Sequence, residues 1–132
     1  MTNPKDIDFS SLEKAIVSLR QALERPPKND LERDGVIQRF EYTFELCWKY
    51  IRRLLLAMGR SDVSSSPRPL FRDALEEHWI LDIEPWFGFL EARNEVAHTY
   101  DSDQADKVFQ VAGKFPPCAG SLLSAMKKRS RG

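Results

Sequence analysis

The chain has 132 residues, with 20 Lys plus Arg against 20 Asp plus Glu and a formal net charge of zero. Such a length fits a single domain that buries about two thirds of its unfolded surface around one core. The charge balance excludes a wholesale nucleic-acid binder, which carries a strong basic excess, but leaves room for a local cationic site. Cys47 and Cys118 stand outside any CxxC or Cys/His cluster, so no metal-ligand set is expected and a reduced, cytoplasmic setting fits. The first six residues are polar rather than signal-like, and no apolar run approaches membrane-spanning length, so no membrane contact is expected.

Residues 1–8 are expected as a flexible tail. Ser10 and Glu13 have capping-box spacing, placing the start of a first helix at Ser10. Its apolar positions, Phe9, Leu12, Ile16, Leu19 and Leu23, alternate three and four apart along one face, and Arg25-Pro26-Pro27 ends it. Asn29 and Glu32 offer a second capping box. From there an apolar stripe runs through Val36, Ile37, Phe40, Phe44, Cys47, Trp48, Ile51, Leu54, Leu55 and Met58, about six turns of helix. Its outer face carries Glu41, Glu45, Lys49 and Arg52, with Glu45 to Lys49 in the favoured i,i+4 order. Gly59 suits the C-terminal cap. Arg60 to Ser66, with three consecutive serines, reads as a loop, and Pro67 or Pro69 opens a third helix with Leu70, Phe71, Ala74 and Leu75 inward, closed by Trp79 and Ile80. His78 lies among acidic residues and is assigned to the surface.

Asp82 can cap a fourth helix with Pro85 in its first turn. Trp86, Phe89, Leu90, Ala97 and Val96 are placed inward. Asp103 can cap a fifth helix carrying Val108, Val111, Ala112 and Phe115, and Pro116-Pro117 then either kinks it or starts another helix through Met126. Residues 127–132 form a basic C-terminal tail, expected to be solvated and frayed. With no alternating strand pattern and no repeat, residues 1–132 are expected as one all-α, up-and-down bundle of four or five helices.

The fourth helix ends in the densest chemistry of the chain, Arg93-Asn94-Glu95-Val96-Ala97-His98-Thr99-Tyr100. Arginine matches a phosphate or carboxylate with a fixed fork, histidine exchanges protons near neutral pH, and a phenol can donate, accept or take a transferred group. The same residue types also fit two solvated cations favoured by a helix C-terminus. Five residues on a regular helix set Arg93 and His98 about 140° apart. To converge on one phosphate, either the helix changes its winding at its end or a second chain supplies one residue.

Arg93, four intervening residues, His98, Thr99 and Tyr100 resemble the R-x4-H-x-Y pattern of HepT-like HEPN proteins, small helical proteins encoded beside a minimal nucleotidyltransferase. The stretch from Arg39 to Lys49, and Ser66-Pro67-Arg68 leading into Phe71-Arg72-Asp73-Ala74, resemble the same family in matching order. The resemblance implies a homodimer whose motif helices meet across a two-fold axis, with the long second helix and the motif helix as candidate interface. It implies a toxin that is a metal-independent endoribonuclease acting on RNA. His98 would be the general base or acid, Arg93 would hold the phosphate, and Asn94 would orient the phosphate or His98. It also implies silencing by AMP transfer to Tyr100 from the cognate nucleotidyltransferase, its antitoxin partner. No cofactor is called for. The alternative of another class is a non-catalytic, substrate-binding subunit of a two-chain nucleotidyltransferase, in which Arg93, His98 and Tyr100 only dock a partner. A plain dimerising scaffold ranks third.

Overall fold

A computed structural model of the chain describes residues 3–98 and 101–132. The described residues form six α-helices and no strand: α1 (Ser10–Ala22), α2 (Asp30–Ala57), α3 (Pro67–Glu76), α4 (Glu84–Glu95), α5 (Ser102–Ala112) and α6 (Phe115–Arg131). The all-α expectation holds, with one helix more than expected. Pro116 and Pro117 sit in the first turn of α6, where a missing N–H costs nothing, so they start a helix rather than kink one.

Helix α2 is the axis and packs against all five others. Its stripe is the core: Phe40, Phe44, Cys47, Ile51, Leu54 and Leu55 are fully buried, while Trp48 and Met58 are only partly covered. Phe115 of α6 is the common partner of the aromatic side chains. Its ring centroid lies 5.2 Å from Phe40, 6.1 Å from Phe44, 5.6 Å from Trp86 and 4.9 Å from Phe89. One ring thus ties α6 to α2 and α4 through edge and tilted contacts. Phe71 extends the cluster to α3, 5.6 Å from Phe44 and 5.1 Å from Trp86.

The helix ends differ from the sequence expectations in instructive ways. Helix α1 does start at Ser10, but without a capping box: the Asp8 carboxylate accepts the Ser10 N–H at 2.9 Å. At α2 the Asn29 side chain accepts the Glu32 N–H, and Glu32 reaches back to the Lys28 N–H instead of that of Asn29. Asp101, not Asp103, caps α5, accepting from the N–H groups of Asp103 and Gln104. Both α2 and α3 close with paired bonds around a left-handed residue. Gly59 (φ 94°) serves α2, and His78 (φ 62°) does the same for α3, with the Trp79 N–H reaching the Ala74 carbonyl at 2.9 Å. Trp79 and Ile80 therefore lie beyond α3, and both are buried.

Neither terminal segment is loose where it is described. Pro4–Asp6 forms a 3-10 turn, and the buried Tyr50 donates its hydroxyl to the Asp8 carbonyl at 2.8 Å. The basic C-terminal residues continue α6 to Arg131, with Lys127 bound to Glu13 of α1 at 2.6 Å. Arg33, buried in the first turns of α2, donates to Ser102 at 3.1 Å and Asp106 at 3.0 Å, which locks α5 against α2.

Replacing Phe115 by alanine removes the ring shared by three helices. Urea unfolding of Phe115→Ala should show a loss of about 3–5 kcal/mol. Leu31→Ala, at a side chain 81% exposed, should stay within about 0.5 kcal/mol of the parent.

Candidate functional site

The motif begins on α4 because that helix is pinned at both ends. Asp82 accepts the Glu84 N–H at 3.1 Å, Pro85 stands in the first turn, and Trp86, Phe89 and Leu90 bury the inner face. The α-helix stops at Glu95 and the chain continues as a 3-10 turn, Val96–His98. Gln104 of α5 donates to the Glu95 carboxylate at 3.0 Å, which holds the junction.

Arg93 is half-buried and paired with Glu45 of α2. The other oxygen of that carboxylate accepts the Trp48 indole N–H at 2.8 Å. Arg93 also donates to the Asn94 side-chain oxygen at 3.1 Å. Asn94 thus meets Arg93, not His98. The i,i+4 pairing expected between Glu45 and Lys49 gives way to this contact, because Arg93 offers Glu45 a partly desolvated guanidinium with several donors. Glu45 and Trp48 are the residues that sequence reasoning missed. Their one legible signal is a carboxylate and an indole three apart on α2, inside the Arg39–Lys49 stretch that resembles the same family.

His98 is exposed, and among the described residues no hydrogen bond joins it to Arg93. The winding explains this. An α-helix advances about 100° per residue and a 3-10 helix about 120°. Two α steps and three 3-10 steps put His98 about 160° from Arg93, on nearly the opposite side and slightly farther than the roughly 140° of a regular helix. The change at the helix end therefore turns the two side chains apart. Ala97, expected inward, is exposed for the same reason. Tyr100 lies outside the described residues.

Arg93 and Asn94 open onto a cleft of ≈ 670 Å³ between α4 and α2, whose α2 wall includes Gln38, Glu41, Tyr42 and Lys49. Tyr42 is 58% exposed. It also borders a second groove, ≈ 510 Å³, beside Lys14, Ser18 and Arg39. The cleft presents a guanidinium already paired with Glu45, an amide, a phenol, a lysine and the Glu41 carboxylate, so an anion binding there meets two cations balanced by two carboxylates. Among the described residues no group of His, Cys, Asp and Glu could hold a metal ion. Burial pushes the thiols of Cys47 and Cys118 up, Cys118 further through the nearby Asp82 charge, so neither is a ready thiolate. No helix among the described residues is long and apolar enough to cross a membrane.

In sequence and in overall fold the chain is similar to known proteins. Residues 7–128 match the family model described as nucleotidyltransferase substrate binding protein like. A curated Haemophilus influenzae protein named probable ribonuclease HepT is 29% identical over 136 residues, covering 98% of this chain and 93% of its own length. The crystal structure of a Thermus thermophilus protein matches with a TM-score of 0.79 and 29% identity, covering 88% of this chain and 98% of that one. A Haemophilus influenzae structure, described as the fold of a substrate binding domain of a nucleotidyltransferase, matches with a TM-score of 0.80 and 27% identity over 91% of this chain and 99% of that one.

A double-mutant cycle on Glu45→Gln and Arg93→Ala isolates the pair that anchors the motif. The coupling should be about 1 kcal/mol in stability, since both side chains are partly solvated. A coupling indistinguishable from zero would mean that Arg93 is held by the backbone of α4 alone.

Proposed function

The chain belongs to the nucleotidyltransferase substrate binding protein like family, and we propose that within it this protein is a HepT-type ribonuclease whose site is completed by a second copy. The observation that carries the reading is the separation at the end of α4: Arg93 lines the α2 cleft, while His98, past the winding change, is exposed and does not line it. A two-fold axis through the α2–α4 face brings two Arg–His sets into one cleft. There His98 takes the proton of a ribose 2′-OH, and the 2′-oxygen attacks the adjacent phosphorus. The bond to the 5′-oxygen breaks, that oxygen is protonated, and a 2′,3′-cyclic phosphate remains. Arg93 neutralises the charge gathering on the phosphoryl oxygens, and Asn94 keeps its fork in place. DNA lacks the 2′-OH and is spared.

The second reading, a substrate-binding subunit without chemistry of its own, gains weight from one contact. Glu45 already occupies Arg93, so a phosphate must displace that carboxylate or share the guanidinium with it. The toxin's partner in the first reading is the same as in the second, a cognate nucleotidyltransferase. In the first it disarms the site by modifying Tyr100: the phenol oxygen attacks the α-phosphorus of ATP, pyrophosphate leaves, and AMP stays on the ring. The added phosphate competes for Arg93 and the adenosine fills the cleft.

Arg93→Ala and His98→Ala should each reduce RNA cleavage at least about a hundredfold, with unchanged helical circular dichroism and a dimeric mass by light scattering. Full cleavage by either variant, or by a monomer, contradicts the composite site; a dimer that binds the nucleotidyltransferase but never cuts RNA selects the subunit reading.

Incubation with the cognate nucleotidyltransferase, ATP and magnesium should add whole AMP units to the intact chain and abolish cleavage. Tyr100→Phe should take up none. An adduct mapped elsewhere that silences cleavage equally well removes Tyr100 from the regulatory role.

A further inference from the structure

We propose that a cationic strip on α2 and α3 carries the RNA strand away from the Arg93 cleft. The proposal rests on the ribonuclease reading for the identity of the polymer, and it names where the rest of that polymer lies.

The strip begins at Lys49, which lines both the Arg93 cleft and a neighbouring groove of ≈ 380 Å³ with Trp48, Arg52, Arg53 and Ser65. Just past Ser65 the chain enters α3, where Arg68 and Arg72 stand one turn apart. Both lie over the ring of Phe87, at 4.5 and 5.8 Å from its centroid. Phe87 is seven residues before Asn94 on α4, two turns along the same face. The α2 row and the α4 row therefore both lead from the cleft to the arginines of α3.

Lys49, Arg52, Arg53, Arg68 and Arg72 form no ion pair among the described residues, so their charge is open to a ligand in a way that the charges of Arg33, Arg60, Arg93 and Lys127 are not. The Nε of Arg52 is covered and has no hydrogen-bond partner among those residues. The acids nearby on α4 are Glu84 and Glu91, the former exposed three residues before Phe87 and the latter exposed four after it. On the same path Glu45 and Asp73 are held by Arg93 and Arg60, and Glu76 stands exposed one turn from Arg72, so it is the five cations outside any ion pair that offer a surface for a polyanion.

The form of the cations favours a single strand. Arg53 lies 4.6 Å from the Tyr50 ring centroid and Lys49 5.7 Å from that of Trp48, so four of the five cations rest on aromatic rings. A guanidinium resting over a ring still has N–H groups to offer phosphate oxygens. A strand whose scissile phosphodiester sits at Arg93 reaches these groups directly through Lys49.

The test uses the full-length protein and a fluorescent single-stranded oligouridylate of about 12 nucleotides. Binding is followed by anisotropy across a salt series in the cleavage-deficient His98→Ala background, and cleavage is measured separately in the otherwise wild-type chain. The Arg68→Ala/Arg72→Ala variant should bind about tenfold more weakly, with the slope of log K against log salt reduced by about 1.4 for two lost phosphate contacts. Lys49→Ala/Arg53→Ala should behave alike, and Arg68→Lys/Arg72→Lys should recover the salt slope. Unchanged affinity and slope in both alanine variants, with cleavage intact, overturn the strip and leave the ribonuclease reading standing. Variants that bind RNA normally but lose the purified nucleotidyltransferase make the strip a protein-docking surface instead, which also overturns the proposal. Weakened RNA binding in the variants, with no cleavage by the wild type, supports the strip and removes the ribonuclease reading. Should a variant melt earlier than its parent, the lysine pair, which keeps the charge, supplies the comparison.

Discussion

Glu45 stands where the outer side of α2 meets α4, and its two carboxylate oxygens are divided between Trp48 of its own helix and Arg93 of the other. That division sets the direction of Arg93. The guanidinium cannot swing toward the end of α4 without leaving a half-buried carboxylate with one partner fewer, a loss that costs more than an exposed pair contributes. Everything proposed for the motif follows from a guanidinium aimed at the α2 wall and an imidazole left outside it.

The depth at which α4 lies is a packing matter. Trp86 and Phe89 meet Phe115 edge-on from one side, and Phe71 backs Trp86 from α3. A closely packed aromatic cluster resists displacement of any one helix, because each ring is a neighbour of several others. Arg93 lies one turn beyond Phe89, so the cluster delivers it to the level of Glu45. The same helix then gives way to a 3-10 turn, and His98 leaves the register of the core. The packed core reaches as far as Arg93, and His98 stands exposed just past the point where that packing ends.

Much of this was legible in the sequence, for a physical reason. The stripe from Val36 to Met58 follows the period of a helix, and burial obeys it almost residue by residue, since an axial helix must bury one continuous face. Gly59 was readable as a cap because few other residues tolerate a positive φ. His78 took the same role unannounced, because its side chain gives no sign that its backbone is left-handed. Asp101 displaced Asp103 as a cap and Asp8 displaced Ser10, choices of one or two residues that depend on where the preceding chain arrives. Glu45 was read as the partner of Lys49 from spacing along one helix. Its actual partner comes from α4, and no local pattern reports which helices become neighbours. The winding change after Glu95 was equally hidden, although the five-residue spacing had already posed the question it answers.

In the composite site we propose, one chain gives the arginine and another the histidine, and subunit mixing separates the two contributions. Arg93→Ala and His98→Ala proteins, each inactive alone, are unfolded together and refolded as a mixture, and RNA cleavage is measured against the wild type. Shared sites predict recovery to roughly a quarter of wild-type activity, since half the dimers are mixed and each mixed dimer holds one intact Arg–His set. A mixture as inactive as its components would place both residues of each site in the same chain and contradict the account.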